Sequence, residues 1–251
     1  MQIEAKNTLS KQVSAVGLIA NIFLSIAKLT VGILGASQAL ISDAINSIGD
    51  VLSTFVVLIG VKKSKKAADE DHPFGHERLD SVAAIILAIF FFVTAFFIGY
   101  RAITSIIQGI EGDIPLPNQL TWMVALIAIV IKEGLFIYTR NAAKITGSVA
   151  LQGAAYDHQA DVISTTGSLI GIVGARVFSL PILDPIFSIF IGILIIITGV
   201  RVFKEAIEQM VDKAMAPEDE KAMRLAINEV VGVEKIDMFR SRIFGNRIYV
   251  D

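Results

Sequence analysis

The sequence predicts an all-α membrane protein of six transmembrane helices, followed by a small α+β domain, and three observations lead to this prediction. Of the 251 residues, 54% are hydrophobic and only 18% are charged, and the mean hydropathy is +0.66. A soluble domain of this length cannot bury so much apolar surface in one core, because surface grows too slowly with volume. Apolar runs of about 20 residues, enough to cross roughly 30 Å of hydrocarbon, recur along the chain, and a polar segment follows the last of them.

Six segments are candidates for transmembrane helices. The clearest is Ser81–Tyr100, which carries no charged residue. The least clear is Val149–Phe178, because it contains Asp157, His158 and Asp161; five spans would remain if that polar stretch were a loop. The other four candidates are Val13–Leu34, Ala39–Val61, Leu120–Tyr138 and Pro185–Val202. The polar N-terminal stretch before the first span shows no obvious cleavage site, which favours a retained helix over a signal peptide.

The distribution of lysine and arginine predicts the orientation. The basic residues near the ends of the spans fall almost entirely on one side: Lys6, Lys11, Lys62, Lys63, Lys65, Lys66, Arg78, Arg140, Lys144, Arg201 and Lys204. The opposite side has the acidic loop GIEGDIPLPNQ and only Arg176 nearby. Because basic loops stay in the cytoplasm, we expect a multi-pass protein of the cell membrane with both termini cytoplasmic.

The C-terminal segment has a different character. A helix is predicted from Pro217, which is followed by an acidic first turn and apolar residues at helical spacing. The residues around Gly245-Asn246 alternate as in a β-hairpin. One helix and two strands are too few to bury a core of their own. We therefore predict a transmembrane domain over residues 1–211 and the N-terminal portion of a cytosolic, ferredoxin-like α+β domain over residues 212–251.

Composition also excludes several classes of function. The formal net charge of −2 gives no electrostatic case for binding nucleic acid. The chain has no cysteine, so disulfides, thiolate metal sites and cysteine nucleophiles are absent.

Two pairs of polar residues lie within the predicted spans. Asn46 and Asp50 are four residues apart on the second helix, and Asp157 and Asp161 are four apart on the fifth. Each pair therefore occupies one face of its helix. If the two faces meet, three carboxylates and an amide oxygen converge in a dry pocket, where their repulsion is relieved by a divalent cation. The alternative is that these groups only join the helices by hydrogen bonds.

Other charged residues in the spans leave more than one interpretation open. Asp43 lies seven residues before Asp50 on nearly the same face, so spacing alone allows either a metal ligand or a helix-packing carboxylate. Lys28 and Arg101 are expected to extend toward a headgroup region. Structural roles are expected for these two residues and for Lys132 and Glu133.

The loop after the second helix contains an acid and two histidines close together. Asp69, His72 and His76 fall within eight residues, next to Pro73 and Gly75. They form a candidate metal site, although two loop histidines are as often ordinary surface residues.

Three motifs, SDAINSIGD on the second helix, DHPFGHERLDS after it and DHQADV on the fifth, occur in an order that resembles the cation diffusion facilitator family. The resemblance extends over the whole chain, up to the segment beginning VDKAMAPEDE. It implies a homodimeric antiporter that expels divalent metal ions in exchange for protons, with no resident cofactor and no enzymatic activity. It also implies a transport site built from two positions four apart on each of the second and fifth helices.

The resemblance assigns roles to individual residues. The transport-site ligands would be Asn46, Asp50, Asp157 and Asp161, which leaves Asp43 outside the site. A second metal site in the cytosolic loop would use Asp69, His72 and His76. An ion pair between Arg78 and Asp212 would join the membrane and cytosolic parts, although the basic partner in relatives is usually lysine.

The ligand types predict which metal is transported. Zinc-transporting members usually have a histidine among the four positions, whereas this quartet offers only oxygen, which favours Mn²⁺ over Zn²⁺, Fe²⁺ or Co²⁺. His158 is the alternative, because it lies three residues before Asp161 and could supply nitrogen. Two other classes, an intramembrane metalloenzyme and a metal-gated channel, are less favoured, since the chain has no HExxH motif.

Overall fold

A computed structural model describes residues 2–64, 69–71, 73, 75–76, 78–110, 115–244 and 247–251. Seven helices and two strands follow one another in these residues: α1 (Gln2–Leu34), α2 (Gln38–Ser64), α3 (Leu79–Ile110), α4 (Gln119–Thr146), α5 (Val149–Val177), α6 (Leu183–Met210), α7 (Pro217–Asn228), β1 (Ser241–Phe244) and β2 (Arg247–Val250). The mostly helical fold with a small C-terminal strand pair is the fold class that the sequence predicts.

The six predicted spans fall on helices α1 to α6, which generally extend beyond them. Five of these helices are long and apolar enough to cross a membrane; α5 has the length, but polar residues interrupt its apolar sequence. Large apolar side chains point outward along the helices, as at Phe23, Phe96 and Val130, whose exposed fractions are 67%, 68% and 64%. Such exposure is unusual in a soluble protein and suits contact with lipid. The polar stretch of α5 is helical, not a loop.

A two-residue turn joins α4 to α5 and sets them side by side. Gly147 ends α4 in the left-handed conformation, with φ of 71°, and its N–H donates to the Ala143 carbonyl. The Ser148 side chain then caps α5 by accepting from the Leu151 N–H. Because the turn is so short, α4 and α5 pack against each other along their lengths, and α4 also packs against α1.

Contacts divide the chain into two compact units. Unit 1 comprises Met1–Leu52 and Phe91–Ile197, and unit 2 comprises Ser53–Phe90 and Thr198–Asp251. Helices α2, α3 and α6 each contribute residues to both units. The predicted domain boundary between residues 211 and 212 is a different division and stays a prediction.

Within unit 1, three turns meet at one end, which we call the turn end. The carbonyl of Gly35, between α1 and α2, accepts from the N–H of Asn118, just before α4, at 2.9 Å. The Arg176 guanidinium, near the end of α5, donates to the Pro117 carbonyl. Asp184, in the first turn of α6, accepts from the Ser37 hydroxyl at 2.6 Å and from the Gln38 N–H. Helices α2, α4 and α6 therefore start at the turn end, and α1 and α5 finish there.

Asp184 is a buried N-cap that comes from a different helix. Its side chain is 2% exposed, and its carboxylate accepts from the first N–H groups of α2, at Gln38 and Ala39. These groups have no partner within their own helix, and a carboxylate is also favoured there by the helix dipole. Asp184 thus fixes α2 relative to α6 at the turn end.

Unit 2 contains the predicted C-terminal helix and hairpin. Strands β1 and β2 are antiparallel, with Ser241 opposite Val250 and Arg242 opposite Tyr249. The Ile243 N–H donates to the Lys213 carbonyl at 2.8 Å, which joins the hairpin to the segment after α6. The predicted turn residues Gly245 and Asn246 lie outside the described residues.

Candidate metal centre

Two of the predicted ligands, one from α2 and one from α5, contact each other inside unit 1. The carboxyl groups of Asp50 and Asp161 lie within hydrogen-bonding and electrostatic range of each other. Asp161 is 5% exposed and Asp50 is partly buried. Ionised carboxylates only accept hydrogen bonds, so their close approach requires a shared proton or a cation. The acidic turns of α2 and α5 therefore face each other, which is the condition for one cation to contact both pairs.

The other two predicted ligands lie one helical turn away. Asn46 precedes Asp50 by one turn and is partly buried, whereas Asp157 precedes Asp161 by one turn and is exposed. Asp157 is close enough to act electrostatically on Asp50. In the described part of the chain, no three His, Cys, Asp or Glu side chains are grouped closely enough to hold a metal ion. The four-residue ligand set therefore stays a prediction.

A buried lysine on α4 contacts this acidic pair. The Lys132 ammonium is 0% exposed, forms an ion pair with Asp161 and donates to the Asn21 side-chain oxygen on α1 at 2.7 Å. The sequence predicts only a structural role for Lys132 and gives no role to Asn21. The burial cost of a lysine within a span was the available signal, since such a group needs an acidic partner. Its position on α4, which packs against α5, identifies that partner as Asp161.

His158 is buried beside the acidic pair, but its ring faces α1. A Cβ atom placed on Gly17 would lie 3.3 Å from His158 Nε2, so the ring fills the space that this glycine leaves. His158 is 5% exposed, and among the described residues its Nδ1 has no hydrogen-bond partner. The nitrogen Nε2 is thus directed at a helix that carries none of the predicted ligands.

The orientation of His158 leads to a prediction about metal choice. We expect His158→Ala to keep Mn²⁺ transport within about threefold of the wild type, because Nε2 packs on α1 and is not needed as a ligand. We expect Asp157→His to favour Zn²⁺, since it adds a nitrogen to the predicted quartet. Uptake of both metals into vesicles measures the two effects. Loss of Mn²⁺ transport in His158→Ala, together with unchanged Mn²⁺ transport in Asp157→His, would contradict the all-oxygen site.

A second buried ion pair shows that Asp43 has a structural role as the partner of Lys28. Lys28 Nζ lies 2.7 Å from Asp43 Oδ2, and the two side chains are 0% and 1% exposed. The expectation that Lys28 extends toward a headgroup region is therefore wrong: Asp43 and neighbouring hydroxyl groups satisfy its ammonium inside unit 1. Asp43 belongs to this ion pair, in keeping with its exclusion from the predicted metal ligands.

The other predicted site residues belong to unit 2. His76 Nε2 lies 3.4 Å from Asp69 Oδ2, whereas His72 is outside the described residues. The loop metal site stays a prediction. Arg78 forms an ion pair with Asp212, and both side chains are about half-exposed. Nearby, Ser81 of α3 donates to Gln209 of α6 at 3.0 Å. The proposed role of the Arg78–Asp212 pair in joining two parts of the protein also stays a prediction.

Comparisons with known proteins identify the family. Residues 14–211 match the cation efflux transmembrane domain. The manganese efflux system protein MneS of Bacillus subtilis is 31% identical over 94% of this chain and 80% of its own length. MneP of the same organism is 29% identical over 98% of this chain and 84% of its own length. The magnetosome protein MamM of Magnetospirillum gryphiswaldense is 27% identical over 96% and 76%. This chain therefore belongs to the cation diffusion facilitator family and is a membrane transporter of metal cations, not an enzyme.

Proposed function

We propose that this protein exports Mn²⁺ from the cytoplasm in exchange for protons, as a homodimer in the cell membrane with both termini cytoplasmic. The transported ion binds between α2 and α5, at Asn46, Asp50, Asp157 and Asp161. The contact between the Asp50 and Asp161 carboxyl groups carries this proposal, because it joins the two acidic turns that a single cation must touch.

The chemistry of the ligands supports manganese as the substrate. All four proposed ligands offer oxygen, and oxygen sites with room for water favour Mn²⁺ over the nitrogen-preferring Zn²⁺. Two relatives, MneS and MneP, are named as manganese efflux proteins. At identities of 31% and 29% these names support the choice of metal without fixing it, so Fe²⁺ and Zn²⁺ are the alternative substrates.

Proton exchange follows from the same carboxylates. When the site opens to the cytoplasm, Mn²⁺ binds and replaces the bound protons. Until then, these protons neutralise the acidic side chains and relieve their mutual repulsion. The helices then rearrange so that the site opens to the other side. Protons from outside bind Asp50, Asp157 or Asp161, and the ion is released. Each cycle therefore moves one metal ion outward and protons inward, with the site open to one side at a time.

Vesicles reconstituted with the purified protein and loaded with a pH-sensitive dye test this function. We expect saturable Mn²⁺ flux that is accompanied by proton movement in the opposite direction, and slower flux of Zn²⁺ under the same conditions. Metal flux without proton movement would contradict the exchange mechanism. Flux that does not saturate with Mn²⁺ concentration would instead indicate a channel.

A further inference from the structure

A layer of buried polar groups lies next to the acidic pair in unit 1. Besides its ion pair with Asp43, the Lys28 ammonium donates to Thr165 at 2.8 Å and to Ser47 at 3.4 Å. Ser164 donates to the other oxygen of Asp43 at 2.8 Å. All five side chains belong to residues no more than 2% exposed. One cation from α1 thus joins α2 to α5, the two helices with the proposed metal ligands.

This layer lies between the acidic pair and the turn end. Ser47 precedes Asp50 by three residues on α2, which starts at the turn end, and Thr165 follows Asp161 by four residues on α5, which finishes there. At a rise of 1.5 Å per residue, both are about 5 Å closer to the turn end than the carboxylates. Because Lys28 contacts both, its ammonium lies about one helical turn from the acidic pair.

The position of the Lys28 ammonium relative to Asp43 and the acidic pair decides whether this layer attracts or repels a metal ion. The Lys28 ammonium lies between Ser47 and the Asp43 carboxylate, so a cation that leaves Asp50 and Asp161 toward the turn end meets the positive end of the Lys28–Asp43 pair first. These side chains are almost completely buried, so solvent screens the repulsion between the ammonium and a divalent ion only weakly. A fixed positive charge is a known way to exclude cations from a membrane pathway.

We propose that Lys28, held in place by Asp43, is an electrostatic barrier that prevents metal ions from leaking between the acidic pair and the turn end. This inference rests on the proposed function, because it takes Asp50 and Asp161 as the binding site of the transported ion. Lys28 acts as a positioning and barrier residue, not as a ligand. The ion passes only when the helices rearrange and carry the ammonium away from its path.

The test removes the positive charge while keeping the size of the side chains. The double variant Lys28→Met/Asp43→Asn removes both charges of this buried pair, so neither partner is left unpaired, and it keeps an oxygen that accepts from Ser164. In vesicles without a pH gradient, we expect passive Mn²⁺ leak to rise at least about tenfold. Mn²⁺ affinity in detergent should stay within about threefold of the wild type, because no proposed ligand is changed. Lys28→Gln/Asp43→Asn carries the same expectation should the first variant fail to fold.

Two controls separate charge from packing. Lys28→Arg keeps the cation and should keep the leak at the wild-type level. Ser42→Ala/Ser188→Ala removes the 2.7 Å hydrogen bond between α2 and α6 in the same region without changing any charge, and it should not leak. A folded, Mn²⁺-binding double variant that does not leak would overturn the barrier, as would an equal leak in the serine control. A wild-type protein that moves no metal would instead contradict the proposed function.

Discussion

Asp161→Asn is expected to abolish Mn²⁺ transport, and it should also lower the free energy of unfolding by about 3–5 kcal/mol, because it leaves the buried Lys132 ammonium without its carboxylate partner. Asp161 lies between the acidic partner on α2 and the cation on α4, because it interacts with Asp50 and forms an ion pair with Lys132. Loss of groups that merely support a ligand typically costs 10- to 100-fold, so loss of a charged ligand should reduce the uptake rate by at least about 100-fold. Asparagine keeps the size of the side chain and one oxygen acceptor for Lys132, so the variant removes the negative charge without opening a cavity.

Initial rates of Mn²⁺ uptake into vesicles, together with Mn²⁺ titration calorimetry in detergent, measure this effect. Asp184→Asn is the matched control, because it makes the same substitution at another buried aspartate of unit 1, at the turn end. We expect the control to bind Mn²⁺ like the wild type. Wild-type uptake by Asp161→Asn would show that the acidic pair does not bind the transported ion.

The helices and the shared face of each polar pair were predictable from local patterns. Apolar runs identify spans because lipid tolerates little else. The four-residue spacings place Asn46 with Asp50 and Asp157 with Asp161, since residues so spaced share a helix face. The hairpin follows from the alternation on either side of residues 245 and 246. Each of these inferences needs only residues that are close in sequence.

The partners of the buried charges were not predictable in the same way. Lys132 pairs with Asp161, Lys28 with Asp43, and Asp184 with the start of α2. Each partnership depends on which helices are neighbours and on how each helix is rotated, and the sequence of one helix specifies neither. The cost of burial indicates that Lys28 needs an acidic partner, but the same cost is also avoided by extension to the headgroups. Packing decides between these outcomes.

Lys132→Met is expected to strengthen Mn²⁺ binding and to weaken the metal-free fold. The ammonium holds Asp161, so a metal ion that binds this carboxylate must compete with it or bear its repulsion. Without the ammonium we expect the dissociation constant for Mn²⁺ to fall about tenfold, which corresponds to about 1.4 kcal/mol. Removal of one partner of a buried ion pair typically costs about 3–5 kcal/mol. The free energy of unfolding without metal should therefore fall by a similar amount.

These two effects have opposite consequences for stability, which makes the prediction specific. Mn²⁺ stabilises only the folded state that binds it, and a tighter site gains more stability at a given concentration. Thermal unfolding should therefore show a lower midpoint than the wild type without Mn²⁺ and a larger upward shift when Mn²⁺ is added. Lys144→Met, at an exposed lysine in the last turn of α4, should change neither value. Weaker Mn²⁺ binding by Lys132→Met would mean that the ammonium supports the site by orienting Asp161, and the competition between lysine and metal would have to be abandoned.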